Sequence, residues 1–238
     1  METQRGRGTV LGLVPARGGS KGISRKNARL LAGKPLLAYT ADAARGATGL
    51  SRILLSTDDP EIASIGKAAG LEVPFLRPAE LAVDSTPMID VVLHAIQWVR
   101  DQGLSYDAVC LLQPTSPLRS SASIDYCISL LWEHDVDSVM SVRPVPTEYN
   151  PYWVYFEDSG GLLRPSMGDK TEVPCRQQLP RAYHADGSVF LARTEKILKE
   201  HSLKCKRMLG AISPEHEAVD LDTEEQWRAL ERKLRHES

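Results

Sequence analysis

Short apolar runs alternate along this chain with segments whose apolar positions recur every three or four residues. VLGLV (10–14), RILLST (52–57), VPFL (73–76), AVCLL (108–112), SVMSVRPV (138–145), GSVFLA (187–192) and KRMLGAIS (206–213) read as strands. LLAYTADAARG (36–46), EIASIGKAAG (61–70), MIDVVLHAIQWVRDQG (88–103), the stretch 122–133, TEKILKEH (194–201) and TEEQWRALERKLRH (223–236) read as helices. Their ends carry suitable residues. Pro35 suits a first helical position and Gly46 a stop. Thr86 and Pro87 are expected as N-cap and first residue of the third helix. Thr223 and Gln226 form a capping box, with Trp227, Leu230 and Leu234 on the buried side of the last helix. The β-α-β order predicts an α/β fold, a mostly parallel sheet with helices on both faces, and AVCLL, the most apolar run, is expected near its centre.

The rhythm breaks after residue 147. PYWVYFEDSGGLLRP (151–165) reads as a hairpin turning at Asp158-Ser159-Gly160-Gly161. Trp153 and Phe156 cluster there with Tyr149, Tyr152 and Tyr155. So much aromatic surface is expected to pack on the body or on a second subunit. The polar stretch GDKTEVPCRQQLPR (168–181) follows.

Composition narrows the class. A chain of 238 residues fits one large domain, or one with a small appendage. The formal charge of −2 gives no general attraction to nucleic acid or acidic membranes, so local basic character points to a small anion. Cys110, Cys127, Cys175 and Cys205 form no CxxC or zinc spacing, which predicts reduced thiols and a cytoplasmic protein. The start, METQRGRG, has no apolar core of a signal peptide, and no run reaches membrane-spanning length.

Chemistry concentrates at VLGLVPARGGSKGISRKN (10–27). A buried strand feeds a loop carrying Arg17, Gly18, Gly19, Lys21, Gly22, Arg25 and Lys26. Glycines let backbone N–H groups approach an anion, and the cations supply charge-assisted hydrogen bonds. The loop is neither a Walker A loop, because Gly22 follows Lys21, nor a GxGxxG fingerprint. Its bland alternative is a solvated turn. Asp220 and Asp222 sit two apart, so in an extended segment they share a face and suit Mg²⁺ with phosphate oxygens. The competing reading gives Asp222 only a role at the helix N-terminus. In QPTSPLR (113–119), Gln113, Thr115 and Ser116 offer groups suited to a base edge or ribose, or simply satisfy a turn. Arg119 either binds a ligand or pairs with an acid. Arg176, Gln177 and Arg181 are candidates for a carboxylate, while His184 has no visible partner and reads as structural.

LVPARGGSKGISRKN, LLQPTSPLR, RQQLPRAYHADGSVF and VDLDTEEQW, in that order, resemble the N-acylneuraminate cytidylyltransferase (CMP-sialic acid synthetase) family. The resemblance implies a Rossmann-like nucleotidyltransferase domain over 1–238. It also implies a small dimerisation hairpin or arm and sugar-site loop inserted at 147–181, which in relatives reaches into the partner's site. The implied reaction joins CMP from CTP to a nonulosonic acid and releases pyrophosphate. Arg17, Gly18, Ser20, Lys21, Lys26 and Asn27 would bind the triphosphate. Ser85, Gln113 and Ser116 would contact the nucleoside, Arg176 and Gln177 the sugar, and Asp220 and Asp222 would hold Mg²⁺. Arg17, Lys26 and Asp222 would carry the chemistry. HADGSVF departs from the asparagine-glycine pair of the best-known sialic acid enzymes near Asp186-Gly187, which leaves neuraminic, legionaminic, pseudaminic or another nonulosonic acid open as acceptor. The alternatives are an octulosonate or sugar 1-phosphate nucleotidyltransferase, or a non-catalytic nucleotide-binding module. Nucleic acid and membrane partners are not expected; a homodimer is.

Overall fold

The structure is a computed structural model that describes residues 8–20, 22–168, 173–217 and 219–236. Its strands are β1 (Val10–Pro15), β2 (Leu30–Leu31), β3 (Lys34–Pro35), β4 (Arg52–Ser56), β5 (Ala108–Leu111), β6 (Ser138–Pro144), β7 (Tyr155–Glu157), β8 (Leu163–Pro165), β9 (Tyr183–Arg193) and β10 (Met208–Ile212). Its helices are α1 (Leu36–Gly46), α2 (Pro60–Ala68), α3 (Met88–Asp101), α4 (Ser121–Glu133), α5 (Thr194–Glu200) and α6 (Glu224–His236). Six strands form one sheet in the order β10-β6-β9-β5-β1-β4. β4, β1 and β5 run parallel, as do β6 and β10, while β9 runs antiparallel between β5 and β6.

Alternation along β1 explains the layers. Val10 and Val14 pack with Leu37 and Ala41 of α1, Ile62 of α2 and Ile124 and Ile128 of α4. Leu11 and Leu13 pack on the other face with Val92, Ile96 and Val99 of α3 and Ile197 of α5. A strand with both faces covered must be apolar throughout, and every residue of β1 and β5 is buried.

Four expectations are corrected. Pro35 ends β3 and stands just before α1 rather than at its first helical position. VPFL is not a strand: among the described residues this segment's one β-bridge to the sheet is at Glu72, opposite Leu54, and Pro74 lacks the N–H a ladder needs. Thr86 does not cap α3, which starts after Pro87; its hydroxyl donates to the Glu80 carbonyl, 3.1 Å. The strand expected at 187–192 is the eleven-residue β9, beginning at Tyr183. The 151–165 hairpin does form, as β7 and β8. Asp158 closes it by accepting the Gly160 and Leu162 N–H groups.

β9 is interrupted where it matters. Met140 pairs with Phe190, but Val142 pairs with Ala185, so four residues of β9 oppose Ser141 alone. The Ser141 hydroxyl fills the gap. It accepts the Val189 N–H at 2.7 Å and donates to Asp186 Oδ1 at 2.5 Å. Ser213 and the Ser188 N–H also donate to that carboxylate. Such a bulge redirects a strand. Here it carries Gly187, at φ +79, toward the rim where β1 and β5 end.

Candidate active site

At the carboxyl ends of β1 and β5 lies a cleft of about 400 Å³, where ligands sit in open α/β sheets. Arg17, Ser20, Lys26, Asn27, Gln113 and Asp222 line it among the residues expected from sequence. Arg77, Asp84, Thr86 and Met88, from the segment entering α3, line its other wall.

The cationic loop meets the C-terminal acids directly. Lys26 Nζ donates to the Leu221 carbonyl at 2.8 Å and to Asp222 Oδ1 at 3.0 Å. The Leu221 N–H bonds the Thr115 carbonyl, 2.9 Å, so the same segment is tied to the loop after β5. An exposed ion pair contributes at most about 1 kcal/mol, too little to hold a chain terminus in place. The anchor is α6. Trp227 and Leu230 bury themselves with Leu221 against Ile23, Leu31 and Leu36. Arg29 stacks on the Trp227 ring at 4.6 Å and pairs with Glu224. Removing a buried tryptophan costs about 3–5 kcal/mol, so this packing sets where Asp222 lies.

The cap of α6 does not use the Asp222 carboxylate. Gln226 Oε1 accepts the Asp222 and Thr223 N–H groups, 2.8 and 2.9 Å, and Thr223 Oγ1 accepts the Gln226 N–H at 3.3 Å. With the helix end satisfied by Thr223 and Gln226, the Asp222 carboxylate is left for Lys26 and the cleft.

Asp220 reaches the site from the side. A Cβ added to Gly187 would lie 3.6 Å from Gln113 Oε1 and 3.8 Å from Asp220 Oδ2, so the bulge brings these two groups together. Burial of the Asp220 carboxyl raises its pKa; a hydrogen bond from Thr115 opposes this, and the charge of Asp222 adds to it. A buried carboxyl beside the Asp222 carboxylate, next to a polyphosphate-sized cleft, forms a donor set that a hard divalent cation would satisfy together with phosphate oxygens. Among the described residues no group of three or more His, Cys, Asp or Glu is poised for a metal, so any cation held by this pair would need ligands from elsewhere, such as phosphate oxygens.

That shift has a consequence for stability. A carboxyl whose pKa is raised in the fold favours folding when protonated, below its unfolded value, and loses that contribution as pH rises through the folded value. Asparagine is a permanently neutral stand-in. Asp220→Asn is therefore expected to raise the melting temperature near neutral pH. The gain should shrink as the pH approaches about 4, where the unfolded carboxyl protonates. Thermal melts at several pH values check this.

Arg17 is already engaged: its guanidinium pairs with Asp84 at 2.5 Å across the cleft. A phosphate entering beside Arg17 would have to displace that carboxylate. Asp84→Asn is expected to tighten pyrophosphate binding about two- to fivefold, the worth of a surface ion pair, while cytidine binding stays unchanged. Calorimetry with both ligands measures it.

The other expected residues are placed as follows. Asn27 is buried and donates to the Arg17 carbonyl, 3.0 Å, so it shapes the loop. The Gly18 N–H is held by Asp58, 3.0 Å, outside the cleft lining. Lys21 lies outside the described residues. Ser85 is exposed between Asp84 and Thr86, and Ser116 is buried with its hydroxyl unpartnered. Arg25 turns away to Asp59 and Glu61 at the start of α2. Arg176 lines a separate hollow of about 410 Å³ with Arg181, Asn150 and Tyr183 at the base of the arm, and Gln177 is exposed beside it. His184 is exposed, without a catalytic partner among the described residues. Asp84, Arg77 and Gly187 were not expected; only the acidic and basic residues flanking Pro78–Pro87 hinted at the first two.

A parallel-sheet rim that joins a glycine-rich cationic loop to an acidic pair defines a nucleotidyltransferase. The chain matches the Cytidylyltransferase family over residues 11–206. It is 34% identical over 230 residues to the CMP-N,N'-diacetyllegionaminic acid synthase of Legionella pneumophila, covering 94% of this chain and 95% of that protein. It is 31% identical over 206 residues to the N-acylneuraminate cytidylyltransferase of Escherichia coli, covering 86% of this chain and 46% of that longer protein. The fold matches a CMP:2-keto-3-deoxy-manno-octonic acid synthetase solved with CTP, with a TM-score of 0.70, 14% identity and coverage of 97% and 100%. The protein belongs to the cytidylyltransferase family.

Proposed function

We propose that this enzyme transfers CMP from CTP to the anomeric hydroxyl of a nonulosonic acid and releases pyrophosphate. The observation that carries this reading is the meeting of Lys26 with Asp222 in one cleft, 196 residues apart in the chain. The hydroxyl oxygen attacks the α-phosphorus as the α–β phosphoanhydride bond breaks, and its proton passes to solvent. Arg17, Ser20 and Lys26 hold the triphosphate and offset the charge that grows on the departing pyrophosphate. Gln113, which lines the cleft, contacts the nucleoside. Asp220 and Asp222 would hold Mg²⁺, which supplies further charge neutralisation when bound.

Arg176 and Gln177 sit away from this cleft, and the arm that precedes them exposes Tyr155, Phe156, Leu162 and Leu163. Both features support a homodimer in which the arm of one protomer serves the site of the other. Four cysteines without a disulfide support a cytoplasmic enzyme, and among the described residues no helix is long and apolar enough to cross a membrane.

The test is pyrophosphate release from CTP and Mg²⁺ with a panel of acceptors. N,N'-diacetyllegionaminic, pseudaminic and N-acetylneuraminic acids stand against 3-deoxy-octulosonate and a sugar 1-phosphate. Turnover with a nonulosonic acid supports the reading. Turnover only with the octulosonate or the sugar phosphate, or CTP binding without turnover on any acceptor, replaces it. Sedimentation measures the dimer.

A further inference from the structure

A second hollow, of about 320 Å³, opens between α4 and the edge strand β10 and shares no lining residue with the active cleft. Ala122, Tyr126, Cys127, Val189 and Ile212 give it apolar walls, and Tyr126 and Ile212 are more than half exposed at its mouth. Glu217 lines it as well. That residue is 5% exposed, and its Oε2 has no hydrogen-bond partner among the described residues. The His216 ring nitrogen lies 4.0 Å from Oε1, too far for a hydrogen bond. A buried carboxylate without donors is costly, and a neutral side chain of similar size would serve stability as well or better.

The neighbouring donors are committed elsewhere. The Ser141 and Ser213 hydroxyls, both on the wall, donate to Asp186. Ser120 is turned to the start of α4, where it accepts the Ser123 N–H at 3.1 Å. Arg119 faces Glu217 only through space. Its Nη1 donates to the Gln113 and Ser188 carbonyls at 3.1 and 2.6 Å, its Nη2 to Thr40 Oγ1 at 2.8 Å, and its Nε meets no acceptor among the described residues. The Cys127 thiol, on the wall of the hollow, registers the balance of these charges. Burial raises its pKa most, the neighbouring Cys110 adds to that, Asp186 and Glu217 push it further up, and the opposing influence of Arg119 is the smallest. The hollow is therefore electronegative, with its charge at the buried end and apolar walls leading to it.

We propose that this hollow is a second ligand site, which takes a small organic ammonium: a primary amine whose N–H groups reach Glu217 while a short apolar or aromatic body lies along the walls toward Tyr126. An ammonium supplies both things the carboxylate lacks, donors and opposite charge, and such charge-assisted bonds are roughly twice as strong as neutral ones. The Tyr126 ring offers a face that suits a cation or an aromatic body. A volume of about 320 Å³ is that of a small-molecule pocket. The site lies behind the segment that delivers Asp220, since the Glu217 carbonyl accepts the Val219 N–H at 2.8 Å. Neither CTP nor a sugar is needed for this binding, so its failure and a failure of the cytidylyltransferase reading are separate results.

Calorimetry of the full chain with benzylamine, benzyl alcohol and benzoate tests this on the wild type, Glu217→Gln and Ala122→Leu. Benzylamine should bind the wild type at one site with a dissociation constant on the order of 1 mM, as suits so few non-hydrogen atoms. Benzyl alcohol, with the same body and no charge, should bind at least about tenfold more weakly, and benzoate not measurably. Glu217→Gln, which removes the charge and keeps the shape, should weaken benzylamine about tenfold. Ala122→Leu, at an exposed position of α4 on the wall, should block it by filling the space. No saturable binding of benzylamine to the wild type, equal binding of the alcohol, or unchanged benzylamine binding in a folded Glu217→Gln overturns the proposal. If Glu217→Gln does not fold, unchanged binding in Ala122→Leu overturns it equally.

Discussion

Replacing Asp222 by asparagine is expected to lower the turnover number on the order of 10²–10³-fold, the range found when one preorganised charge-stabilising group is lost. The substitution is nearly isosteric, and it leaves the scaffold in place. Lys26 keeps its bond to the Leu221 carbonyl, and the cap of α6 uses the Asp222 N–H rather than its side chain. The melting temperature should therefore change little, and the Mg²⁺ concentration for half-maximal rate should rise. Pyrophosphate-release kinetics at varied Mg²⁺ separate these effects. A variant with wild-type turnover removes Asp222 from the chemistry.

The second large effect is expected at Gly22. A Cβ there would sit 2.3 Å from the Asp222 carbonyl oxygen, a clash of side chain with backbone that no rotamer relieves. Alanine must push the cationic loop and the acidic segment apart. Displacements of about 1 Å at a reacting centre can cost 10²-fold, so Gly22→Ala is expected to lose about that factor in turnover. Gly19 is the control. It lies in the same loop, and a Cβ there meets nothing within 4 Å. Gly19→Ala should stay close to wild type, and steady-state kinetics on the pair isolate the contact from any general stiffening of the loop. Equal losses in both variants would show that backbone freedom, not the approach to Asp222, is what the glycines supply.

Much of the architecture was legible because local pattern and burial agree. β1 and β5 are buried on both faces and read as unbroken apolar runs. Helices α1, α3 and α6 show apolar positions at helical spacing, and the Thr223–Gln226 cap is spelled out in four residues. What escaped depends on contacts distant in sequence. The direction of β9 cannot be read from its alternation, since parallel and antiparallel strands share a period of two. Its bulge depends on Ser141, about 45 residues upstream. The loop cations look alike in sequence, yet Lys26 turns to Asp222, Arg25 to α2 and Arg17 to Asp84. Arg119 was expected either to bind a ligand or to pair with an acid. It holds two carbonyls and a hydroxyl, partners that no sequence pattern announces.

The union of Lys26 with Asp222 also sets the order in which the enzyme can come to life. A growing polypeptide carries its glycine-rich cationic loop for 196 residues of synthesis before the matching acid exists, and α6, which fixes that acid, comes later still. On the proposed function, a nascent chain should be unable to hold its nucleotide until α6 has been made. On that reading nucleotide cannot act as a folding template for the early strands; it can only stabilise a chain that has already added α6.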